Sequence, residues 1–191
     1  MTKKDRRKET PLKMKPEVYI LCGNVGTGKT TYRNELIETL SPNKYVIINN
    51  DNILLSFNGI YPINYREFHA NLLKAMRELL YKEWSYEANR CYICNEKPPF
   101  LIIDNMNHYS SLREELIKKI RALCNDSVKI TIVNFGKGDE ISLKRRIEDS
   151  RDLSEERWVE VFNKVQKEWQ EPNEKEGYDF IINMKNKMKK K

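Results

Sequence analysis

Short apolar runs alternate along the chain with longer segments in which apolar residues recur at helical spacing. The apolar runs are predicted strands and lie at 17–22, 44–49, 99–104, 128–135 and 178–182. The predicted helices lie at 28–40, about 64–90, 109–124, 139–149 and 154–170. This alternation predicts an α/β fold, with a central parallel sheet of about five strands and helices on both faces. Ligands of such sheets bind beyond the carboxyl ends of the strands, so functional residues are expected there.

The positive charge of the chain is concentrated at its two ends. The net charge is +7, but residues 1–15 carry seven basic side chains against two acidic ones, and residues 185–191 carry five lysines. Residues 16–184 hold 23 basic against 26 acidic side chains and are therefore slightly acidic. The length of 191 residues predicts one domain, here 16–184, between two basic tails. The tails are expected to be solvated, with docking on nucleic acid as the alternative.

The sequence shows no signal for membrane insertion or export. No stretch approaches about 18 consecutive apolar residues, which predicts that no helix spans a membrane. The basic N-terminus lacks the apolar core of a signal peptide, so a cytoplasmic location with four reduced cysteines is expected. Cys91 and Cys94 form a C-x-x-C pair without two further ligands at zinc-site spacing, and both are expected to be inert thiols.

The segment Gly23–Thr30 fits the pattern G-x-x-x-x-G-K-[ST] of a P-loop, which wraps the phosphates of a nucleoside triphosphate. Its glycines allow backbone N–H groups to converge on phosphate oxygens. Lys29 supplies positive charge to the β- and γ-phosphates, and the Thr30 hydroxyl is predicted to bind Mg²⁺. The predicted nucleotide-binding residues are Gly23, Asn24, Val25, Gly26, Thr27, Gly28, Lys29, Thr30 and Thr31. The pattern predicts a site for ATP, or another nucleoside triphosphate, with Mg²⁺.

Two acidic residues stand at the ends of predicted strands. Asp104 follows four apolar residues, a Walker B pattern whose carboxylate binds Mg²⁺ directly or through water. Asp51 follows the second strand and is placed to accept a proton from an acceptor hydroxyl during phosphoryl transfer. For both residues the alternative role is capping of a following helix, which for Asp51 is a short helix predicted at 52–57.

An arginine-bearing segment follows the fourth strand and the glycine break at Gly136–Gly138. Arg146 and Arg151 are candidates for a lid that brings guanidinium groups to the transferring phosphoryl group. The alternative is an ordinary charged helix face, because acids such as Glu148 and Asp149 are near enough for local ion pairs.

Four segments carry a family resemblance. They are Gly23–Thr30, Asn49–Asp51, Asp104–Asn107 followed by Arg113, and Trp169–Pro172 leading to Glu176–Asp179. Together they resemble the P-loop kinase family typified by the bacteriophage polynucleotide 5′-hydroxyl kinase domain, whose relatives include the zeta toxins. The resemblance implies ATP and Mg²⁺ at the P-loop and Asp51 as general base toward the 5′-hydroxyl of RNA or DNA. It also implies catalytic roles for Lys29 and for the lid arginines Arg146 and Arg151.

The sequence departs from that family near the acceptor. Leu54 stands three residues after Asp51, where polynucleotide kinases typically carry an arginine that holds the acceptor's 3′-phosphate, and Arg66 is the candidate replacement. Met106 takes the place of a threonine. The lid arginines are spaced five residues apart, where the phage pattern usually has four.

Three functions are therefore compatible with the sequence. The leading hypothesis is a kinase that transfers the γ-phosphate of ATP to the 5′-hydroxyl of a polynucleotide. The second keeps this chemistry with a small-molecule acceptor, such as a nucleoside or a nucleotide sugar, and is favoured by Leu54 and the acidic domain. The third is a nucleotide-binding module without kinase activity that docks on nucleic acid through its basic tails.

Overall fold

The computed structural model of the chain describes residues 14–40, 43–58, 67–149 and 153–184. The strands are β1 (Glu17–Gly23), β2 (Tyr45–Ile48), β3 (Phe100–Asp104), β4 (Lys129–Gly136) and β5 (Phe180–Asn183). The helices are α1 (Lys29–Leu40), α2 (Asn50–Asn58), α3 (Glu67–Cys94), α4 (Ser110–Leu123), α5 (Glu140–Glu148) and α6 (Glu155–Glu168), with a 3-10 turn at Glu174–Glu176. Helix α3 extends four residues beyond its predicted end, and β5 begins two residues later than predicted.

The five strands form one parallel sheet in the order β2-β3-β1-β4-β5. This confirms the predicted α/β fold with a parallel sheet and flanking helices. Because β1 is the central strand, the loop that follows it lies in the middle of the carboxyl edge. The loops that follow β3 and β4 lie on either side of it, which is where a ligand of an open parallel sheet binds.

Both faces of the sheet are covered, because alternate residues of a strand point to opposite faces. On one face, Val18 and Ile20 of β1 pack in the larger core cluster with residues of α3 and α4, such as Trp84 and Ile117. On the other face, residues such as Leu21 pack against half-buried side chains of α1. The indole N–H of the fully buried Trp84 donates to the carbonyl of Pro99 at 2.9 Å, so α3 is attached to the start of β3.

A buried ion pair attaches the C-terminal segment to the sheet. The guanidinium of Arg113, in α4, donates to both carboxylate oxygens of Glu176 at 2.7 and 2.6 Å, and both side chains are 0% exposed. The same guanidinium donates to the carbonyl oxygens of Asn107 and Gln170. Two of the sequence segments that carry the family resemblance thus meet at one side chain.

Further expectations concern a membrane span, the two ends of the chain and its location. Although α3 has 28 residues, no helix within the described part of the chain is both long and apolar enough to cross a membrane. Residues 1–13 and 185–191 lie outside the described residues. The assignment of basic tails around a domain at 16–184 stays a prediction, as does the cytoplasmic location.

Arg113→Gln is expected to lower the free energy of unfolding by about 3–5 kcal/mol, because it leaves the Glu176 carboxylate buried without its charged partner. Urea denaturation followed by circular dichroism measures the change. The matched control is Arg121→Gln, since the Arg121–Asp179 pair is partly exposed and should contribute about 1 kcal/mol or less. A loss at Arg113 no larger than that of the control would contradict a stabilising role for the buried pair.

Candidate active site

The chain between β1 and α1 has the backbone geometry of a P-loop. Gly26 and Gly28 have φ angles of 70° and 87°, in the left-handed region that favours glycine. A Cβ atom on Gly26 would also lie 1.9 Å from the carbonyl oxygen of Ser142 in α5. Glycine at position 26 is therefore required both for the turn and for the close approach of α5 to the loop.

Asn24 fixes the P-loop to distant parts of the chain. Its buried side-chain amide donates to the carbonyl oxygens of Lys137 and Phe162 at 2.9 and 3.0 Å, while its Oδ1 accepts from the N–H of Val25. Its backbone N–H donates to the carbonyl of Gly136. Asn24 thus holds the end of β4, helix α6 and the loop together.

Lys29 begins α1, and its ammonium lies inside the loop. It donates to the carbonyl oxygens of Gly23 and Asn24 at 2.8 and 2.7 Å. Burial lowers the pKa of Lys29 to about 8, an effect that the nearby carboxylate of Asp104 opposes. Part of the Lys29 population therefore loses its charge at mildly alkaline pH.

One cavity of about 1120 Å³ brings most of the predicted site residues together. It is lined by Val25, Gly26, Thr27, Gly28, Lys29, Thr30 and Thr31 of the predicted nucleotide site, and by Asp51, Asp104 and Arg146. Gly23, the last residue of β1, and the fully buried Asn24 are not among its lining residues. The predicted metal ligands, Thr30 and Asp104, offer a hydroxyl and a carboxylate, the hard oxygen donors that Mg²⁺ prefers. Within the described residues, no group of three or more His, Cys, Asp and Glu side chains is placed to hold a metal.

Arg33 is a site residue that the sequence analysis missed. Its Nη1 donates to Oδ2 of Asp104 at 2.9 Å, in a pair whose side chains are 13% and 3% exposed. A sequence signal did exist, because Arg33 follows Thr30 by three residues and therefore shares a helix face with it. The side-chain amide of Asn49 donates to the backbone carbonyl of Asp104 at 2.5 Å, which joins the carboxyl ends of β2 and β3.

Asp51 lies in the first turn of α2 and lines the cavity on the side of α2 and α3. We call this side the α2 wall; it consists of Asn49, Asn50, Asp51, Leu54, Leu73, Asn105 and Met106. Leu54 is 3% exposed and packs against Leu73 of α3, so it contributes apolar surface. The Oδ1 atom of Asn50 is buried without a hydrogen-bond partner among the described residues. Arg66, the candidate replacement for a cation at position 54, lies outside the described residues.

Arg146 lines the cavity from α5 and is held by two neighbours. Its guanidinium carbon lies 4.8 Å from the centre of the Trp158 ring, and its Nη1 lies 3.5 Å from Oδ2 of Asp149. Arg145 and Arg157 line the same cavity. Arg151, the second predicted lid arginine, lies outside the described residues.

A second groove of about 390 Å³ lies beside the main cavity, with which it shares the lining residues Met106, Arg157 and Val161. Its other lining residues are His108, Tyr109, Glu160, Lys164, Val165 and Glu168. The Tyr109 hydroxyl donates to the Glu168 carboxylate. Burial lowers the pKa of His108, which favours a neutral imidazole at pH 7. The groove therefore combines aromatic surface with charges of both signs.

Comparison with known proteins identifies the family of the chain. Residues 13–142, more than half of the chain, match the model of the AAA domain family. The chain belongs to the AAA domain family. The matched region of this AAA domain spans β1 to the start of α5, and so includes the P-loop, Asp51 and Asp104. No curated protein matches the sequence.

Several solved structures share the fold. A candidate kinase from Chloroflexus aurantiacus has a TM-score of 0.60 at 15% identity, with 92% of this chain and 89% of that chain covered. The APS kinase of Mycobacterium tuberculosis, in complex with AMPPNP and APS, has a TM-score of 0.52 at 12% identity, with 92% and 95% covered. A fungal RNA kinase has a TM-score of 0.50 at 19% identity, with 88% and 73% covered. At these identities the likeness concerns the fold, and the AAA domain has a fold like that of P-loop kinases.

Nucleotide binding by the AAA domain is expected to weaken as the pH rises above about 8. At a pH below its pKa of about 8, Lys29 already carries its charge before the nucleotide binds. At a higher pH, Lys29 must take up a proton when the nucleotide binds, because the phosphates favour the charged ammonium. The expected loss of ADP affinity is up to tenfold per pH unit. Isothermal titration with ADP at pH 7, 8 and 9 measures it, with Lys29→Met as the control, whose weaker affinity should not share this dependence. Equal wild-type affinity at the three pH values would contradict the prediction.

Proposed function

We propose that this chain is an ATP-dependent kinase that transfers the γ-phosphoryl group to a hydroxyl, with the 5′-hydroxyl of a polynucleotide as the leading acceptor. The observation that carries the proposal is that one cavity is lined by the P-loop, by the carboxylates of Asp51 and Asp104, and by the Arg146 guanidinium. A triphosphate site and a proton acceptor thus open into the same space, as phosphoryl transfer between two bound substrates requires.

The P-loop would bind ATP, the phosphate donor of the reaction. Its backbone N–H groups and Lys29 would bind the phosphates of ATP, and Thr30 and Asp104 would hold Mg²⁺. When bound, Mg²⁺ would neutralise part of the charge on the β- and γ-phosphates. The acceptor oxygen attacks the γ-phosphorus, the bond from that phosphorus to the β–γ bridging oxygen breaks, and ADP leaves. Asp51 accepts the hydroxyl proton, and Arg146 stabilises the charge that develops on the transferred group.

Three observations support a polynucleotide acceptor. The second groove shares Met106 with the main cavity, so a chain that continues beyond the first nucleotide would find further surface beside the site. Arg157 and Lys164 in this groove supply cations for phosphate groups, and the fold is shared with a fungal RNA kinase.

A small molecule with a hydroxyl group, such as a nucleoside or a nucleotide sugar, is the second candidate acceptor. None of the described residues of the α2 wall is basic, and Leu54 packs against Leu73 where a phosphate-binding arginine was expected. The buried Oδ1 of Asn50 would accept a hydrogen bond from a substrate hydroxyl. These features fit a nucleoside or a sugar better than a 3′-phosphorylated end.

A transfer assay with radiolabelled ATP separates the candidates. The acceptors are a 5′-hydroxyl RNA oligonucleotide, the matching DNA, and a panel of nucleosides and nucleotide sugars. Labelling of oligonucleotides supports the polynucleotide acceptor, whereas labelling of the panel alone supports the small molecule. Absence of transfer to every acceptor, combined with nucleic-acid binding that is lost on deleting residues 1–15 and 185–191, would support the non-catalytic module instead.

Asp51→Asn is expected to reduce kcat by about 10²–10⁴-fold and to leave ADP affinity nearly unchanged, because it removes a general base but no phosphate contact. Transfer rates and isothermal titration measure the two quantities. Asp126→Asn is the matched control, since this exposed carboxylate precedes β4 at the opposite edge of the sheet. Turnover near the wild-type rate in Asp51→Asn would exclude Asp51 as the base.

A further inference from the structure

The carboxylate of Asp104 faces both the cavity and a cation. Asp104 lines the cavity, and its Oδ2 accepts a hydrogen bond from Nη1 of Arg33 at 2.9 Å. Arg33 itself is not one of the residues that line the cavity. The carboxylate that is predicted to bind a metal is thus already partnered by a cation that comes from outside the site.

The Arg33 guanidinium is oriented by its own neighbour in α1. Its Nε and Nη2 donate to Oδ1 of Asn34 at 3.3 and 3.2 Å, which directs Nη1 toward Asp104. Arg33 follows Thr30 by about one helical turn, so the two side chains lie on the same face of α1. From this face Arg33 reaches Asp104 at the end of β3, and both Thr30 and Asp104 line the cavity.

This arrangement has opposite effects on the empty and the metal-bound site. A buried carboxylate without a partner is costly, so Arg33 stabilises the site when no metal is bound. A second cation near the same carboxylate is repelled by the guanidinium, and at the effective dielectric of a partly buried site this repulsion is large enough to change affinity by about tenfold. The same side chain should stabilise the metal-free fold and weaken metal binding.

We propose that Arg33 is a positioning residue that sets the divalent-metal affinity of this site, by neutralising Asp104 until a metal binds. The inference rests on the proposed metal-dependent kinase function, but it does not depend on which acceptor is used. It assigns Arg33 a role toward the metal and not toward the substrates.

Binding of Mn²⁺ alone to the full chain tests the role, with free Mn²⁺ measured by electron paramagnetic resonance. Arg33→Gln is expected to bind Mn²⁺ about tenfold more tightly than the wild type, and Arg33→Lys, which keeps the charge, to remain near the wild-type value. Arg33→Gln should also melt at lower temperature without metal and regain more stability on adding Mn²⁺ than the wild type does. Arg121→Gln, which removes an arginine from an ion pair that does not line the cavity, should bind Mn²⁺ like the wild type.

The single variant Asp104→Asn identifies the carboxylate involved. It should bind Mn²⁺ more weakly than the wild type, because it removes the charge that Arg33 neutralises. Mn²⁺ binding by Arg33→Gln that is equal to or weaker than that of the wild type would overturn the inference, as would binding by Asp104→Asn that is as tight as that of the wild type.

A measurement on the wild type covers the case in which Arg33→Gln does not fold. In ¹⁵N spectra of the arginine side chains, addition of Mg²⁺ should shift the Nε signal of Arg33, assigned from its loss in Arg33→Lys, and leave that of Arg121 in place. An unchanged Arg33 signal at saturating Mg²⁺ would overturn the inference. The kinase proposal fails separately, through absence of phosphoryl transfer by the wild type to any acceptor.

Discussion

The arrangement of the site depends on the fully buried Arg113 guanidinium. It binds Glu176 and the carbonyl of Asn107, and the Asn107 side chain in turn donates to the carbonyl of Leu21 in β1. One residue earlier, the carbonyl of Met106 accepts from the N–H of Gly23. The loop after Asp104 is thereby attached to the strand that carries the P-loop, and the C-terminal segment keeps it there. These contacts hold the carboxylate and the phosphate loop in place, and of the residues that make them only Met106 lines the cavity.

The charges in the cavity form a balanced set. Lys29 loses part of its basicity through burial, and the carboxylate of Asp104 restores some of it. Arg33 stabilises the same carboxylate through an ion pair. A change at any one of these groups therefore alters the electrostatic environment of the other two. Low effective dielectric makes such coupling stronger than it would be at the surface.

The sequence was sufficient to predict the fold and the site residues that directly follow a predicted strand. The P-loop, Asp51 and Asp104 each follow a strand of a parallel sheet, so their meeting at one edge could be predicted from element order alone. Arg33 and Asn24 were different, because their partners lie 71 and 113 residues away. The spacing from Thr30 places Arg33 on a shared face of α1, but it does not identify Asp104 as the partner, and nothing local identifies the partners of Asn24. Those partners emerge only from packing in three dimensions.

Trp158 has a consequence for how the molecule can be observed. Of the three tryptophans, Trp84 is fully buried beneath the sheet, and Trp169 packs at the edge of the core, but the ring of Trp158 lines the main cavity and lies beneath the Arg146 guanidinium. If the Arg146 guanidinium moves away from the Trp158 indole, the electric field at that ring changes. The chain thus carries an intrinsic optical probe at the point where its arginine segment meets the cavity, and no added dye is needed to follow movement there.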